Sequence, residues 1–329
     1  MLRILHDTHY DFIKWWRPSL IIRVLFIGTG LLLLALNGIR WSVEFTGGTV
    51  MQVHFTSAPG VDAVRDALAT SHVPATQLQQ FGSATDYLIR AQEQPDDASG
   101  RDPHTRAIIE QRLHERFGDD THVQVVRAEH IGPTIGAELR RNVAIAMLIA
   151  FVLTLTYLAM RFEWRFGLAA VVANMHEVLA TFAFISIMRL EFSPTVLAAI
   201  LTVIGYSLND TIIIFDRVRE NVKRRHRERL YDVVNRAINE TLPRSVMTHA
   251  TVLATALALL LFAGPILRPF AWIMTFGVIT ATFTSIYVSG GLLLWINHTW
   301  PARTDERSTI LASVPKPPAP RTQRSAARK

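Results

Sequence analysis

Residues 195–215 read TVLAAILTVIGYSLNDTIIIF, a run in which Asp210 is the single charged side chain. A helix of about 20 mainly apolar residues can cross the hydrocarbon core of a bilayer. A second run, 269–296, contains no Asp, Glu, Lys, Arg or His. The whole chain is 50% hydrophobic, a share that soluble proteins also reach. The class of protein is therefore decided by how the hydrophobic residues are distributed along the chain. These runs exclude an ordinary soluble domain.

Six segments are long and apolar enough to be membrane spans, and they predict a membrane all-α helical bundle. They are 20–36, 143–158, 166–188, 195–215, 246–262 and 269–296. The first could be mistaken for a signal peptide, but a polar, Trp-rich segment precedes it and 37–39 make a poor cleavage site. We therefore predict a retained anchor. The third is interrupted by His176 and Glu177.

Cations exceed anions, with 34 Lys and Arg against 27 Asp and Glu, which gives a net charge of +7. A basic surplus can indicate nucleic-acid binding. Here the cations are concentrated beside the apolar runs, in 1–19, in the loop after the second span, in 217–245 and in the tail. The positive-inside rule explains this pattern better than a nucleic-acid partner does. It predicts that both termini are cytoplasmic.

The chain divides into regions with different predicted surroundings. They are a cytoplasmic or interfacial segment 1–19, a first membrane helix 20–37, an extracytoplasmic domain 38–142, a five-helix membrane region 143–296 containing a cytoplasmic linker 217–243, and a disordered cytoplasmic tail 297–329. Trp15 and Trp16 beside Lys14 and Arg17 predict an interfacial helix before the first span.

The extracytoplasmic segment has the patterns of a small α+β domain. Alternating or β-branched runs predict strands at 42–56, 77–81, 86–91 and 122–129, and apolar periodicity predicts helices at 61–71 and 104–117. The order βαββαβ is that of a ferredoxin-like unit.

Asp210 is the strongest candidate for chemistry, because a charge inside a bilayer costs about 2.5–3.5 kcal/mol on insertion scales. Its neighbours offer hydrogen bonds or close helix approach: Ser207, Asn209, Thr211 and Gly205. An Asp that meets a cation in only one conformation binds and releases a proton. The alternative is a polar packing residue that never titrates. Arg244 is the candidate cation, although spacing alone makes it an ordinary flank of the fifth span.

His176 and Glu177 are a second polar pair inside a span. The Glu could neutralise a cation or titrate, and His176 could be a relay. Position 180 is Ala, so a His-Glu-x-x-His zinc motif lacks its second ligand. The chain has no Cys and no phosphate-binding G-x-x-x-x-G-K-[ST] loop. We expect no enzyme activity, no metal and no cofactor, and an energy source in an ion gradient or in a partner's ATP.

Several motifs resemble the SecF branch of the SecD/SecF family, whose members are subunits of the Sec preprotein translocase. The most specific is GYSLNDT at 205–211 followed by FDRVREN at 215–221. Four weaker motifs occur in the family's order: YDF at 10–12, FTGGT at 45–49, IGPTIG at 131–136 and NETLPR at 239–244. Together they cover residues 10 to about 295.

The resemblance implies a six-span bundle of the resistance-nodulation-division type with a ferredoxin-like extracytoplasmic domain. It implies a subunit that pairs with SecD and uses the proton motive force in late steps of protein translocation across the inner membrane. Other implied partners are the SecYEG channel, YajC, YidC, an unfolded preprotein and membrane lipid. Asp210 and Arg244 match the family's proton-coupling Asp and Arg. The implied structural motif residues are Gly47, Gly48, Gly205, Asp216 and Arg217.

Two positions depart from the family's usual residues. Glu44 stands where Asp commonly precedes the Gly-Gly motif, and Glu177 stands where the third span commonly has His-Asp. Each keeps an acid. Two other functions stay open: a proton-coupled lipid or drug exporter subunit on the same architecture, and a scaffold in which Asp210 only holds helices together.

Overall fold

The computed structural model describes residues 8–69, 77–80, 83–92, 103–118, 122–224, 228–264 and 267–300. Within them, six helical segments are long and apolar enough to cross a membrane, which confirms the predicted number of spans. They are Ile13–Asn37, Thr134–Arg161, Trp164–Ile187, Pro194–Arg224, Leu230–Phe262 and Arg268–Thr299.

The elements run in chain order as follows. They are α1 (Trp16–Asn37), α2 (Val43–Thr46), β1 (Gly48–Phe55), α3 (Val61–Ala69), β2 (Gln77–Gln80), β3 (Asp86–Gln92), α4 (Pro103–Phe117), β4 (Val123–Ile131), α5 (Pro133–Arg161), α6 (Trp164–Ile187), α7 (Pro194–Arg224), α8 (Leu230–Phe262), α9 (Arg268–Phe283) and α10 (Gly290–Thr299). A π-helical segment, Thr284–Ser289, joins α9 to α10, so these three form the sixth span.

The helices extend beyond the apolar runs that predicted them. α5 begins at Pro133, where a proline is well placed in a first helical turn. The predicted linker 217–243 is helical in its described part except at residues 228–229, because α7 continues to Arg224 and α8 already begins at Leu230. Hydropathy marks only the apolar part of a helix, whereas backbone hydrogen bonding continues into its polar ends.

The two chain ends also differ from the predictions. Tyr10–Phe12 are not helical, and a single 3₁₀ turn, Ile13–Trp15, leads directly into α1. At the other end, α10 continues to Thr299, so the first residues of the predicted disordered tail are helical. The rest of the predicted tail, 301–329, and residues 1–7 lie outside the described residues.

The four strands form one antiparallel sheet in the order β2-β3-β1-β4. α3 and α4 follow β1 and β3 in the chain, and their apolar residues share one core with the sheet. The largest members of this core are Met51, Phe55, Tyr87, Ile89, Ile109 and Leu113. We call residues 48–131 the sheet domain.

The first strand is shorter than predicted. Residues 43–46 of the predicted strand 42–56 form the short helix α2, and β1 begins at Gly48. The change of direction depends on Gly47, whose φ of 90° is rarely adopted by residues with a side chain. At Gly48, a Cβ atom would clash with the carbonyl oxygen of Ala91 in β3. Both glycines of the FTGGT motif are therefore required by the backbone.

The spans pack through small residues. A Cβ atom at Gly277 of α9 would clash with Val203 of α7, and one at Gly30 of α1 would clash with Ala183 of α6. Small residues allow close approach of membrane helices, which makes dispersion contacts available. The sixth span is the most buried of the six and the second span is the least. We call the six spans the bundle.

The sheet domain is joined to one end of the bundle by an aromatic cluster. The Trp41 and Phe192 rings lie 5.3 Å apart between centroids, and Phe45 packs on both. Backbone hydrogen bonds link Ser42 N–H to the Phe192 carbonyl at 3.1 Å and Phe192 N–H to the Arg40 carbonyl at 2.7 Å. We call this end the sheet side and the opposite end the far side.

Candidate functional site

Asp210 lies in the middle of a buried polar cluster between α7 and α8. Its side chain is buried, and Ser245 of α8 donates its hydroxyl hydrogen to Asp210 Oδ1 at 2.5 Å. The second carboxylate oxygen, Oδ2, is buried without a hydrogen-bond partner among the described residues. A buried carboxylate oxygen without a donor is energetically costly, so this atom calls for a partner other than the described residues.

His249 and Tyr206 extend this cluster. His249 is buried, and its Nδ1 lies 2.6 Å from the Ser245 carbonyl, so the proton belongs on Nδ1 for a hydrogen bond to form. The Tyr206 ring meets the His249 ring edge-on at 5.1 Å between centroids. Neither His249 Nε2 nor the Tyr206 hydroxyl has a partner in the described part of the chain. Asp210, Ser245, His249 and Tyr206 therefore form a group with three unpaired polar atoms.

The residues predicted to surround Asp210 do not do so. Ser207 and Thr211 are buried, but the Thr211 hydroxyl donates to the Ser207 carbonyl of the same helix. Asn209 is exposed on the outer surface of α7. Gly205 is exposed as well, and a Cβ atom there would meet nothing within 4 Å, so no described residue makes the close approach expected at this glycine. Close packing of α7 on α9 occurs at Val203 instead.

Arg244 is not in contact with Asp210 in this structure. Its side chain is exposed, and the guanidinium group makes no hydrogen bond or ion pair with any described residue. The next residue along the helix, Ser245, contacts Asp210 instead. Successive residues of an α-helix point about 100° apart, so when Ser245 faces Asp210, Arg244 points towards a different side of α8.

Glu177 is the centre of a second buried polar group. It is fully buried, and its Oε2 accepts hydrogen bonds from Arg23 Nη2 at 2.9 Å and from the Thr284 hydroxyl at 2.6 Å. Its Oε1 accepts a hydrogen bond from the Thr280 hydroxyl. Both ring nitrogens of the adjacent His176 are buried without a partner in the described residues. Glu177 therefore neutralises a cation, as one of the two sequence interpretations proposed.

The sequence analysis missed Arg23, Ser245 and His249. Arg23 stands alone as a charged residue within the predicted span 20–36, and His249 is the single ionisable residue within 246–262. The rule that singled out Asp210, that a charge inside a span has a function, would have identified both. Nothing in the sequence distinguishes Ser245 from the many other hydroxyl residues of the spans.

The far side of the bundle is held together by charges from the signature motifs. Asp216 accepts a hydrogen bond from Arg161 at the end of α5. Arg217 contacts Glu240 of α8 and Glu220 of its own helix, each at 2.6 Å. These residues connect the ends of α5, α7 and α8, which gives Asp216 and Arg217 a structural role.

The YDF motif at 10–12 is bound by α8. Asn239 donates its side-chain N–H to the Tyr10 carbonyl at 2.8 Å and accepts from the Tyr10 N–H at 3.0 Å. Asn235 accepts from the Phe12 N–H at 2.9 Å, and the Tyr231 hydroxyl donates to Asp11 at 2.7 Å. The motif therefore fixes the segment before α1 to the far side of the bundle.

The described side chains offer no obvious metal site. No group of three or more His, Asp or Glu residues comes together within the ranges given above. The two buried acids, Asp210 and Glu177, lie in separate hydrogen-bonded groups on α7 and α6. The Asp210 group is distinguished by a carboxylate, an imidazole and a phenol that each have an unpaired atom within the described residues.

Two family models match this chain. Residues 111–299 match the C-terminal region of the protein export membrane proteins SecD and SecF, a region that includes Asp210, Arg244 and Glu177. Residues 32–59 match the SecD/SecF GG motif, which includes Gly47 and Gly48. The chain belongs to the SecD/SecF family. The resemblance identified from the motifs is confirmed.

Individual members of the SecD/SecF family agree with this assignment. A protein translocase subunit SecF from Gemmatimonas aurantiaca is 52% identical over 95% of this chain and 94% of its own length. The SecF of Escherichia coli O157:H7 is 33% identical over 87% of each chain. Among solved structures, SecDF of Thermus thermophilus, a translocon-associated membrane protein, matches with a TM-score of 0.74 at 33% identity.

The comparison with SecDF also gives the extent of the match. It covers 90% of this chain but only 40% of the longer SecDF chain. SecDF in a super-membrane-facing form matches with a TM-score of 0.67 over 41% of its length. This chain therefore corresponds to less than half of SecDF, and the larger part of SecDF has no counterpart in it.

Proposed function

We propose that this chain is the SecF subunit of the Sec preprotein translocase, which pairs with SecD and uses the proton motive force to promote late steps of protein translocation. The observation that carries the proposal is the buried Asp210 carboxylate, with one oxygen bound by Ser245 and the other unpaired. Proton binding at this unpaired oxygen would change the interaction between α7 and α8. Because the chain belongs to the SecD/SecF family, we take protein translocation as the process to which this change is coupled.

An unoccupied face of α7 and α8 supports pairing with SecD. Exposed small and polar residues recur there at helical spacing: Thr202, Gly205 and Asn209 on α7, and Arg244, Thr248, Thr251 and Thr255 on α8. The threonine hydroxyls donate to carbonyls of their own helices, so the threonines add little unsatisfied polarity to this face. Such faces suit a neighbouring membrane helix better than lipid. The match covers only 40% of the SecDF chain, so the remainder of SecDF would correspond to the SecD partner.

The same face accounts for the separation of Asp210 and Arg244. In the proposed complex, Arg244 would reorient towards Asp210 when α8 moves. Asp210 and Arg244 then act as the proton-coupling pair in one conformation and are apart in the one described here. Asn209, Ser207, His176 and Glu177 remain supporting polar residues in this proposal.

The charge distribution supports the orientation. The far side carries Arg161, Arg165, Arg217 and Arg219, which the positive-inside rule places in the cytoplasm of a bacterial cell, at the inner membrane. Both termini would then be cytoplasmic, and the sheet domain would be extracytoplasmic. The strand order β2-β3-β1-β4, with one helix after β1 and one after β3, supports a ferredoxin-like domain. The SecYEG channel, YajC, YidC and the unfolded preprotein would be contacted from these surfaces.

The central test is precursor transport into inverted vesicles that contain this chain and SecD, with and without a proton gradient. We expect Asp210→Asn to abolish the stimulation by the gradient, because the amide is nearly isosteric but cannot take up a proton. Asp62→Asn, which removes an exposed carboxylate of the sheet domain, is the matched control and should transport as the wild type does. Subunit assembly is measured for every variant.

Other outcomes separate the alternatives. Full gradient stimulation in the Asp210→Asn vesicles would make Asp210 a packing residue of a scaffold and would contradict the proposal. Gradient-driven export of lipid or drug in the absence of precursor would favour an exporter instead. The names of the relatives at 52% and 33% identity favour the translocase.

A further inference from the structure

Arg23 is the only charged residue of α1 beyond its first turn, and it is buried. Its side chain lies inside the bundle, with the whole residue 6% exposed. Arg23 Nη2 donates to Glu177 Oε2 at 2.9 Å and to the Thr284 hydroxyl at 2.8 Å. The guanidinium group therefore connects the first span to the third and to the sixth at a single point.

The partner carboxylate is fully compensated at this point. Glu177 accepts one guanidinium N–H and two threonine hydroxyls, and both of its oxygens have partners. This differs from Asp210, whose second oxygen has none among the described residues. Removing one partner of a buried ion pair leaves an uncompensated charge, which is much more destabilising than removing both. The pair therefore depends on matched charges.

The sixth span departs from regular α-helical geometry where these residues meet α1. The π-helical segment begins at Thr284, the residue that touches both Arg23 and Glu177. It ends before Gly290 and Gly291, and a Cβ atom at Gly291 would lie 2.6 Å from the Trp16 ring. π-helical turns inside α-helices occur frequently at functional sites. The wider turn and the glycines fit the sixth span closely against the start of the first.

We propose that Arg23, Glu177 and Thr284 form a charge-matched joint, which positions the first span against the π-helical segment of the sixth span and in which Glu177 keeps its charge through the transport cycle. α1 is followed by α2 and then by the first strand of the sheet domain, so this joint passes movement of the sixth span towards that domain. The part of this inference that concerns transport rests on the proposed function, whereas the joint itself does not.

The surroundings of Glu177 contain few other groups that could exchange a proton with it. Arg23 faces it from α1, and Thr280 and Thr284 face it from the sixth span. His176 is its neighbour in α6 and has both ring nitrogens unpaired within the described chain. No acidic or basic side chain from the described parts of α5, α7 or α10 bonds to Glu177.

The test compares single and paired neutral variants in the gradient-stimulated transport assay with SecD. Arg23→Met and Glu177→Gln should each reduce stimulation at least tenfold, because each leaves one buried charge unpaired. The double variant Arg23→Met/Glu177→Gln should recover to within about twofold of the wild type, with an unchanged pH dependence. A proton-carrying Glu177 would instead leave the double variant as inactive as Glu177→Gln, and that result would overturn the proposal.

A second measurement does not depend on transport. The apparent melting temperature of the detergent-solubilised complex should fall by about 5 °C or more in each single variant and should recover in the double variant. Thr284→Val should lower it as well, whereas Thr282→Val, which removes a hydroxyl bonded only to its own helix, should not. If the wild type shows no gradient stimulation, the proposed function fails. If the melting temperatures of the single and double variants simply add, the joint fails.

Discussion

At the scale of single residues, what matters is how a buried charge is compensated. Glu177 has donors on both oxygens, whereas Asp210 has one donor, Ser245, and one free oxygen in the described structure. Two acids in two spans of one bundle thus have different chemistry. The first is suited to hold a helix in place, and the second is the acid at which we propose that a proton binds.

The Ser245 hydroxyl provides a test at this scale. Ser245→Ala removes the one hydrogen bond that a described side chain donates to the Asp210 carboxylate, and a hydrogen bond to a charged group contributes about 1.5–3 kcal/mol. We expect gradient-stimulated transport to fall severalfold, with less effect on transport without a gradient. Thr211→Val is the matched control, because its buried hydroxyl bonds to Ser207 and not to Asp210. Equal transport by the Ser245→Ala variant and the wild type would show that the serine does not tune this site.

At the scale of secondary-structure elements, small residues decide which helices pack together. α1 contacts α6 closely at Gly30, and α7 contacts α9 closely at Gly277. Neither contact requires a polar side chain, and both are possible because a glycine lets two backbones approach. The polar contacts of Arg23 and Ser245 add links between spans to this close packing.

Two glycines in one helix test this packing. Gly30→Ala places a Cβ atom onto Ala183 of α6, and overpacking of this kind costs about 1–3 kcal/mol, so the apparent melting temperature should fall. Gly28→Ala meets nothing within 4 Å and should leave the stability unchanged or raise it by up to about 1 kcal/mol, because alanine favours the helix. Similar melting temperatures for the two variants would contradict the close α1–α6 contact.

At the scale of the whole molecule, the junction on the sheet side determines how the bundle and the sheet domain move together. The chain enters the sheet domain from α1 and leaves it through α5, and the aromatic cluster around Phe192 fixes the segment after α1 to the loop between α6 and α7. Gly136 of α5 fits against the Phe45 carbonyl, where a Cβ atom would lie 2.7 Å away. Movement in the bundle therefore reaches the sheet domain at several points.

Glu191 makes this junction sensitive to pH. Burial raises its pKa above the ordinary 4.5, and the nearby Glu44 adds to this, while Arg40 and Arg90 oppose it. Because the folded state favours the protonated form, the contribution of Glu191 to stability is greatest below pH 4.5 and declines as the pH rises through the raised pKa. We expect Glu191→Gln to remove this decline.

The measurement is the apparent melting temperature between pH 4.5 and 8, compared with the wild type. The difference between Glu191→Gln and the wild type should grow in favour of the variant as the pH rises. Glu138→Gln, which changes an exposed glutamate at the start of α5, should show a constant difference. A constant difference for Glu191→Gln as well would mean that burial does not perturb this group.

The amino-acid sequence by itself determined the number of spans and the family, because lipid demands long apolar runs and because motifs such as 205–211 are local. It also singled out Asp210 and Glu177, since a charge is rare in such runs. Their partners were decided only by the tertiary structure. Ser245 is 35 residues from Asp210, and Arg23 is 154 residues from Glu177. Which faces of two helices meet depends on the packing of all six spans, and no local pattern records it.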